Sequence, residues 1–142
     1  EANRVREASD IAQATEFVSK MPKGFQSPIA QGGTNVSGGQ KQRLSIARAV
    51  YRDPEILIFD DSFSALDFKT DREVRDALKE TAKDATKLIV AQRVGTIMDA
   101  DCIRVGEDGK VVGQGTHREL LETCEVYQEI AKSQLSEEEL SA

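Results

Sequence analysis

A short stretch rich in polar residues and glycine, Ser37-Gly38-Gly39-Gln40, combines residue types suited to holding a phosphate. Ser37 and Gln40 fit the capping box that begins a helix, and a helix N-terminus offers unpaired backbone N–H groups and a partial positive charge. Two glycines inside this turn let a bulky anion approach the backbone. The spacing alone fits an ordinary capped helix somewhat better, so this candidate phosphate site needs support from elsewhere in the chain.

A pair of carboxylates, Asp60 and Asp61, follows the apolar run 56–59. The run does not alternate and is preceded by Pro54, so it predicts a strand buried on both faces of a parallel sheet. A carboxylate at the end of such a strand can bind Mg²⁺ directly or through water. Asp60 is therefore the candidate metal ligand. The alternative is that Asp60 only ends the strand, but adjacent carboxylates repel each other unless a positive group lies between them.

Two further polar segments follow predicted strands. Residues 62–67 form a polar loop after the first strand, and Gln92 follows a second apolar run at 88–91. Because the carboxyl ends of parallel strands meet at one edge of a sheet, we expect Gln92 to lie on the same edge as Asp60 and Asp61. Each segment is weak evidence by itself.

The elements that position these residues follow from apolar spacing, capping residues and turn residues. Predicted helices cover residues 3–20, a segment from Ser37 to about 51, a segment capped by Thr70 to about 83, 96–100, a segment capped by Thr116, and a last one around 126–131. Residues 23–36 are predicted to be a loop, and an Asp108-Gly109 turn predicts a hairpin between strands 103–105 and 111–112. This order predicts an α/β fold, with a parallel sheet, flanking helices and a C-terminal hairpin.

Composition excludes several classes of protein. The 142 residues include 25 acidic and 19 basic side chains, for a net charge of −6, which argues against a nucleic-acid or anionic-membrane surface. Two cysteines and one histidine fall short of the about four ligands of a zinc site. No apolar run reaches the roughly 18 residues of a membrane span, and no secretion leader is visible. Because the chain starts at Glu1, we expect a piece of a longer protein.

Taken in order, these stretches resemble the nucleotide-binding domain of ABC transporters over nearly the whole chain, most closely the exporter type. The stretch 37–40 is similar to the signature motif, 56–60 to Walker B, 64–67 to the D-loop, and 115–120 to the segment after the C-terminal hairpin. The resemblance implies ATP and Mg²⁺ as ligands, with Asp60 on the metal. It implies that Ser37, Gly38, Gly39, Gln40 and Asp67 contact nucleotide, and that Asp61 and Gln92 occupy the two catalytic positions.

Three positions depart from the family pattern. Asp61 stands where the family has a glutamate general base, Gln92 stands at the switch histidine, and residues 27–31 replace a segment that exporters use near the coupling helices. The shorter Asp61 carboxylate falls short of the attacking water, and Gln92 cannot carry a charge. With the signature intact, the resemblance implies the degenerate half of a heterodimeric exporter, whose signature completes the ATP site of its partner. The alternative is a homodimer that manages with aspartate.

The Walker A loop, Gly-x-x-x-x-Gly-Lys-[Ser/Thr], is absent from the sequence. We therefore expect the isolated chain to be inactive and to bind ATP weakly. The resemblance assigns residues 1–53 to part of the helical subdomain and 54–135 to part of the ATPase core. Residues 136–142 are predicted to be an acidic tail that frays. Because the P-loop strand is missing, we expect unpaired sheet edges and an uncovered apolar face, relieved by dimerisation, swapping or other means.

The resemblance implies partners and a location. The full protein would join a second nucleotide-binding domain and transmembrane domains at the cytoplasmic face of the cell membrane, with no nucleic acid, and the fragment itself would be soluble. Two alternatives stay open: a non-transport ABC ATPase acting on DNA or the ribosome, and a non-enzymatic binding module built on Asp60 and Asp61.

Overall fold

The structure, a computed structural model, describes residues 1–142 as a mixed α/β chain. The helices are α1 (Ala2–Ile11), α2 (Thr15–Ser19), α3 (Gly38–Tyr51), α4 (Phe68–Thr81), α5 (Val94–Ile97), α6 (His117–Thr123), α7 (Glu125–Gln134) and α8 (Glu137–Ser141). The strands are β1 (Ile56–Asp60), β2 (Thr86–Val90), β3 (Ile103–Glu107) and β4 (Lys110–Gly115). Two short 3-10 turns, Gly24–Gln26 and Gln31–Gly33, lie in the predicted loop. The predicted α/β class, with a parallel pair and a C-terminal hairpin, is confirmed.

The chain forms two compact units, residues 1–90 and 91–142. Each unit has an apolar cluster of its own. None of the helices is both long and apolar enough to cross a bilayer.

The sheet of the first unit consists of β1 and β2, paired in parallel with Ile58 opposite Leu88. On one face, Leu57 and Phe59 are buried in a cluster with residues of α1, α3 and α4. On the other face the apolar side chains are 52% to 65% exposed: Ile56, Ile58, Leu88 and Val90. The prediction that residues 56–59 are buried on both faces is therefore wrong, because these helices cover only one side. The predicted uncovered apolar face is present.

The N-terminal helix is interrupted, so the prediction of one helix over 3–20 is wrong. α1 ends at Ile11, Gln13 has a left-handed backbone (φ 55°), and α2 begins at Thr15. The Thr15 hydroxyl donates to the Asp10 carboxylate, and Arg43 Nη1 donates to the Gln13 carbonyl at 2.8 Å. These bonds satisfy polar groups that a continuous helix would have used differently.

Helix α4 is capped by Asp67 rather than by the predicted Thr70. The Asp67 carboxylate accepts from the Thr70 backbone N–H at 2.7 Å and from the Thr70 hydroxyl at 3.0 Å. These two bonds to the charged form lower the pKa of Asp67. The helix also ends at Thr81, two residues before the predicted end.

The second unit contains the predicted hairpin. β3 and β4 pair antiparallel with an irregularity between Val105 and Gly106, and Asp108 (φ 49°) and Gly109 (φ 74°) form the turn. Positive φ at both central residues is typical of the type I′ turn, whose twist suits a two-residue hairpin. The predicted Asp-Gly turn is confirmed, although both strands are longer than predicted.

Helices complete the second unit. Thr116 and Glu119 form the predicted capping box of α6, while α5 starts at Val94 rather than Thr96. The acidic tail contains a short helix, α8, which Ser136 caps in a second capping box with Glu139, and its fraying stays a prediction. His117 packs against Tyr127: its Nδ1 lies 2.6 Å from the Tyr127 hydroxyl, and burial lowers the pKa of the imidazole.

Candidate functional site

The stretch 37–40 forms the first turn of α3, with Ser37 as its N-cap. The Ser37 hydroxyl accepts from the Gln40 backbone N–H at 3.2 Å, and the Gln40 side-chain oxygen accepts from the Ser37 N–H at 3.0 Å. The predicted capping box is confirmed, so both side chains are engaged in holding the helix end. The N–H groups of Gly38 and Gly39 have no intrahelical acceptor and are the donors this turn can offer to an anion.

The two glycines also pack against the loop that follows β1. A Cβ atom on Gly39 would lie 2.9 Å from the Ala65 carbonyl oxygen, closer than real Cβ contacts allow, whereas one on Gly38 would meet the Ala65 Cβ at an ordinary 3.6 Å. Gly39 therefore has a packing role whether or not it contacts a phosphate. Gly38 lacks that constraint.

The side chain of Gln42 joins α3 to the same loop. Its Nε2 donates to the Asp61 carbonyl at 3.0 Å and to the Ser64 hydroxyl at 2.9 Å. Its Oε1 accepts from the Ala65 backbone N–H at 2.8 Å. One carboxamide thus fixes both ends of the segment 61–65. It also holds this segment to the helix that begins with residues 37–40, called the signature turn below. Sequence reasoning missed this role, because the partners lie 19 to 23 positions away.

The acidic pair lies where β1 ends, and both side chains are exposed. Asp61 has a left-handed backbone (φ 53°), and its N–H donates to the Val90 carbonyl at 2.9 Å. Left-handed geometry is uncommon for a residue with a side chain, although aspartate tolerates it, and it occurs often at functional sites. The backbone of Asp61 is thus held on one side by β2 and on the other by Gln42.

Asp60 can supply one carboxylate to a metal ion. No group of three or more acidic, histidine or cysteine side chains capable of holding a metal occurs in the chain. Mg²⁺ does not need such a group, since it retains several waters and is usually bound by one or two carboxylates together with substrate phosphates. The exposed Asp60 carboxylate fits that mode of binding, in which a nucleotide provides the remaining ligands.

Asp67, which the resemblance places in the D-loop, accepts hydrogen bonds from Thr70 as the N-cap of α4. Its carboxylate therefore stabilises the start of this helix, and its contact with nucleotide stays a prediction.

Gln92 follows β2 by two residues and has an exposed side chain. Its backbone carbonyl accepts from Gln134 Nε2 at 2.9 Å, and Gln134 Oε1 accepts from the Val94 N–H at 2.8 Å. A single side chain of α7 therefore fixes the segment 92–94. Gln92 belongs to the second unit and the acidic pair to the first, so their expected proximity stays a prediction.

Of the basic residues of α3, Lys41 and Arg48 are exposed, while Arg43 is not. Arg43 is half-buried, and its guanidinium lies 4.6 Å from the centre of the Phe17 ring. With its bond to Gln13, it anchors the break between α1 and α2. Stacking on an aromatic face is a common use of arginine.

Comparisons with known proteins agree with the motifs. The family model described as ABC transporter matches residues 1–64. An uncharacterized ABC transporter ATP-binding protein of Mycobacterium tuberculosis is 50% identical over 90% of this chain and 22% of its own length. The ATP-dependent lipid A-core flippase of Escherichia coli is 44% identical over 94% of this chain and 23% of its own length.

Further comparisons extend the same pattern. A multidrug resistance protein of Caenorhabditis elegans is 38% identical over 94% of this chain and 10% of its own length. A solved structure of a bacterial Atm1-family ABC exporter with ATP bound has a TM-score of 0.92 and 34% identity, over 96% of this chain and 24% of its own. The chain thus spans less than a quarter of the length of each of these relatives.

Proposed function

Because the chain is a segment of an ABC transporter nucleotide-binding domain of the exporter type, we propose that it is part of the ATP-binding subunit of an ABC exporter. ATP binding and hydrolysis by that subunit would drive transport across a membrane. The observation that carries the proposal is the packing of the signature turn against the loop that begins at Asp61. This packing brings a phosphate-binding helix end and the end of the Walker B strand into one unit.

The finer proposal is that the nucleotide site served by Asp60 and Asp61 is degenerate. Aspartate at 61 is one methylene shorter than glutamate, and a misplacement of about 1 Å in a catalytic group can cost about 100-fold in rate. Gln92 can hydrogen-bond a phosphate but cannot become a cation as histidine can. Both departures weaken hydrolysis at the same site, where ATP would be bound and hydrolysed slowly.

The intact signature supports a role at the other site of a pair. In the proposed heterodimer, the turn 37–40 binds the ATP held by a second nucleotide-binding domain, with the N–H groups of Gly38 and Gly39 facing its phosphates. A homodimer is the weaker alternative, because both of its sites would carry both departures.

The proposed assembly also assigns the parts of the chain. Residues 1–53 belong to the helical subdomain, 54–135 to the ATPase core and 136–142 to the acidic tail. The full protein would lie at the cytoplasmic face of a membrane with its transmembrane domains, and Asp60 would bind the Mg²⁺ that accompanies ATP. No role in nucleic-acid binding is proposed, since the chain has a net charge of −6.

Two substitutions in the full transporter distinguish the heterodimer with a degenerate site from the homodimer. Gly38→Asp places a negative charge at the phosphate end of α3, in a position where a Cβ fits, and should lower ATPase activity at least about tenfold. Asp61→Asn should change that activity by less than about twofold, because the carboxylate serves a site that is already slow. Steady-state ATPase assays on the purified transporter measure both effects.

The controls are matched in charge and in backbone. Ser45→Asp adds the same charge at an exposed position further along α3, and Asp53→Asn changes an exposed aspartate with a similar left-handed backbone, φ 50°. Both should leave the activity unchanged. If Asp61→Asn abolishes activity, the chain comes from a homodimer or its site is competent, and the degenerate-site proposal is wrong.

The isolated chain should bind ATP weakly and hydrolyse none. It lacks the Walker A loop, whose backbone N–H groups and lysine hold the β- and γ-phosphates. Isothermal titration of the 142-residue chain with Mg-ATP should give no saturable heat at micromolar nucleotide concentrations. Micromolar affinity would contradict this prediction.

A further inference from the structure

We propose that Gln42 is a positioning residue that couples the two nucleotide sites of the transporter, by joining the signature turn to the segment 61–65. The proposal rests on the proposed function, in which the turn 37–40 contacts the partner's ATP and Asp61 belongs to the chain's own site. Nothing in the motif itself requires Gln42 to contact nucleotide.

The geometry that carries the proposal is the use of every polar atom of one carboxamide. Nε2 donates to the Asp61 carbonyl and the Ser64 hydroxyl, and Oε1 accepts from the Ala65 N–H. The Ser64 hydroxyl also donates to the Asp61 carbonyl at 3.3 Å. Asp61, Ser64 and Ala65 are therefore linked to Gln42 of α3 by a small ring of hydrogen bonds.

The position of Gln42 on α3 makes this ring sensitive to the signature turn. Gln42 lies two residues after Gln40, within the first two turns of a 14-residue helix. A helix moves as a rigid element, so a displacement of its N-terminus by a bound phosphate is transmitted to the Gln42 side chain. Gly39, whose backbone packs against Ala65, adds a steric contact on the same path.

The receiving end of the path is the backbone of the predicted catalytic position. Asp61 has a left-handed backbone. Its N–H donates to the Val90 carbonyl, and its carbonyl accepts from Gln42 Nε2 and from the Ser64 hydroxyl. Loss of the Gln42 bonds leaves the Asp61 carbonyl with the longer bond from the Ser64 hydroxyl, at 3.3 Å, and removes the bond that orients that hydroxyl. The effect expected at the active site is a misplaced carboxylate rather than weaker nucleotide binding.

The test uses the full transporter and the substitution Gln42→Met, which keeps the length of the side chain and removes all three hydrogen bonds. Because Asp61 serves the proposed slow site, kinetics are read in a transporter that also carries Asp61→Glu and Gln92→His, where Gln42→Met should remove most of the gain in kcat for ATP hydrolysis while KM changes less than about twofold. A role in stability alone would not produce this split. Gln42→Glu keeps an acceptor for the Ala65 N–H but cannot donate, so its kcat should lie between the values for the proteins with glutamine and with methionine at position 42. Ser45→Ala, at an exposed position on the same helix, is the control.

A second measurement reads the coupling directly. Amide hydrogen exchange of peptides covering 37–40 and 61–66 is followed with and without a non-hydrolysable ATP analogue. In the wild type the analogue should protect both segments. In Gln42→Met it should still protect 37–40, while a large part of the protection of 61–66 is lost. Since the readout is the change caused by nucleotide, a general loosening of the variant does not imitate it.

The outcomes distinguish the inference from the function on which it rests. If the analogue fails to protect 37–40 in the wild type, the proposed role of the signature is wrong. If it protects 37–40 in both proteins and protects 61–66 equally in both, only the coupling role of Gln42 is overturned. A rise in KM with an unchanged kcat would also overturn it, because it would indicate a role in binding.

Discussion

Replacing Asp61 by glutamate and Gln92 by histidine in the full transporter should raise the rate of hydrolysis at this chain's own site about 10- to 100-fold, and should therefore increase the basal ATPase activity, to which the partner's site already contributes. The added methylene lets the carboxylate reach the attacking water, and histidine supplies a group that can be charged beside the γ-phosphate. Each single substitution should give only part of the increase, because both groups act on the same step. Single-turnover ATPase assays would measure it, since they separate chemistry from product release.

Backbone geometry dictates the control for this experiment. The backbone of Asp61 is left-handed, a conformation that costs less free energy for aspartate than for a residue with a longer side chain. Asp53→Glu imposes the same change at an exposed position with φ 50° and no proposed role in catalysis. It should leave activity unaltered. Unchanged activity in the Asp61→Glu, Gln92→His double variant would show that these residues do not limit hydrolysis.

Adjacent residues of β1 should respond very differently to truncation. Phe59 is 2% exposed and lies 5.4 Å from the Phe63 ring centre, whereas Ile58 on the opposite face is 65% exposed. Phe59→Ala should lower the free energy of unfolding of the isolated chain by about 3–5 kcal/mol. Ile58→Ala should change it by less than about 0.5 kcal/mol. Chemical denaturation followed by circular dichroism measures both values.

The same pair reports whether anything covers the apolar face in the longer protein. If further residues pack against Ile58 there, Ile58→Ala becomes destabilising by about 2–4 kcal/mol, while the effect of Phe59→Ala stays large. Self-association of the isolated chain would likewise protect Ile58 and would make its loss depend on protein concentration. Equal losses for the two variants in the dilute isolated chain would contradict the one-sided sheet.

Local signals were sufficient where the deciding contacts are local. The capping boxes at Ser37 and Thr116 and the Asp108-Gly109 turn depend on residues at most three positions apart, and all three were predicted. The cap of α4 was misassigned because Thr70 and Asp67 both suit an N-cap, and the choice depends on which side chain reaches the other's N–H.

Failures occurred where distant residues decide. The break at Gln13 is stabilised by Arg43, 30 positions away, so apolar periodicity across 3–20 gave no sign of it. The run 56–59 is apolar throughout, yet burial of its second face depends on what packs there, which the run does not encode. Within the site, the order of the motifs located the signature and the acidic pair. The role of Gln42 could not be predicted, since any glutamine on a helix could equally face solvent.

The hold of Gln134 on residues 92–94 sets a limit for protein engineering. Gln134 is the last residue of α7. A shortened version that ends before it would release the backbone around Gln92 even though every recognised motif remained in place. A fusion partner or an affinity tag therefore belongs beyond Gln134. The minimum length that keeps the switch segment in place is set by a helix that carries no motif at all.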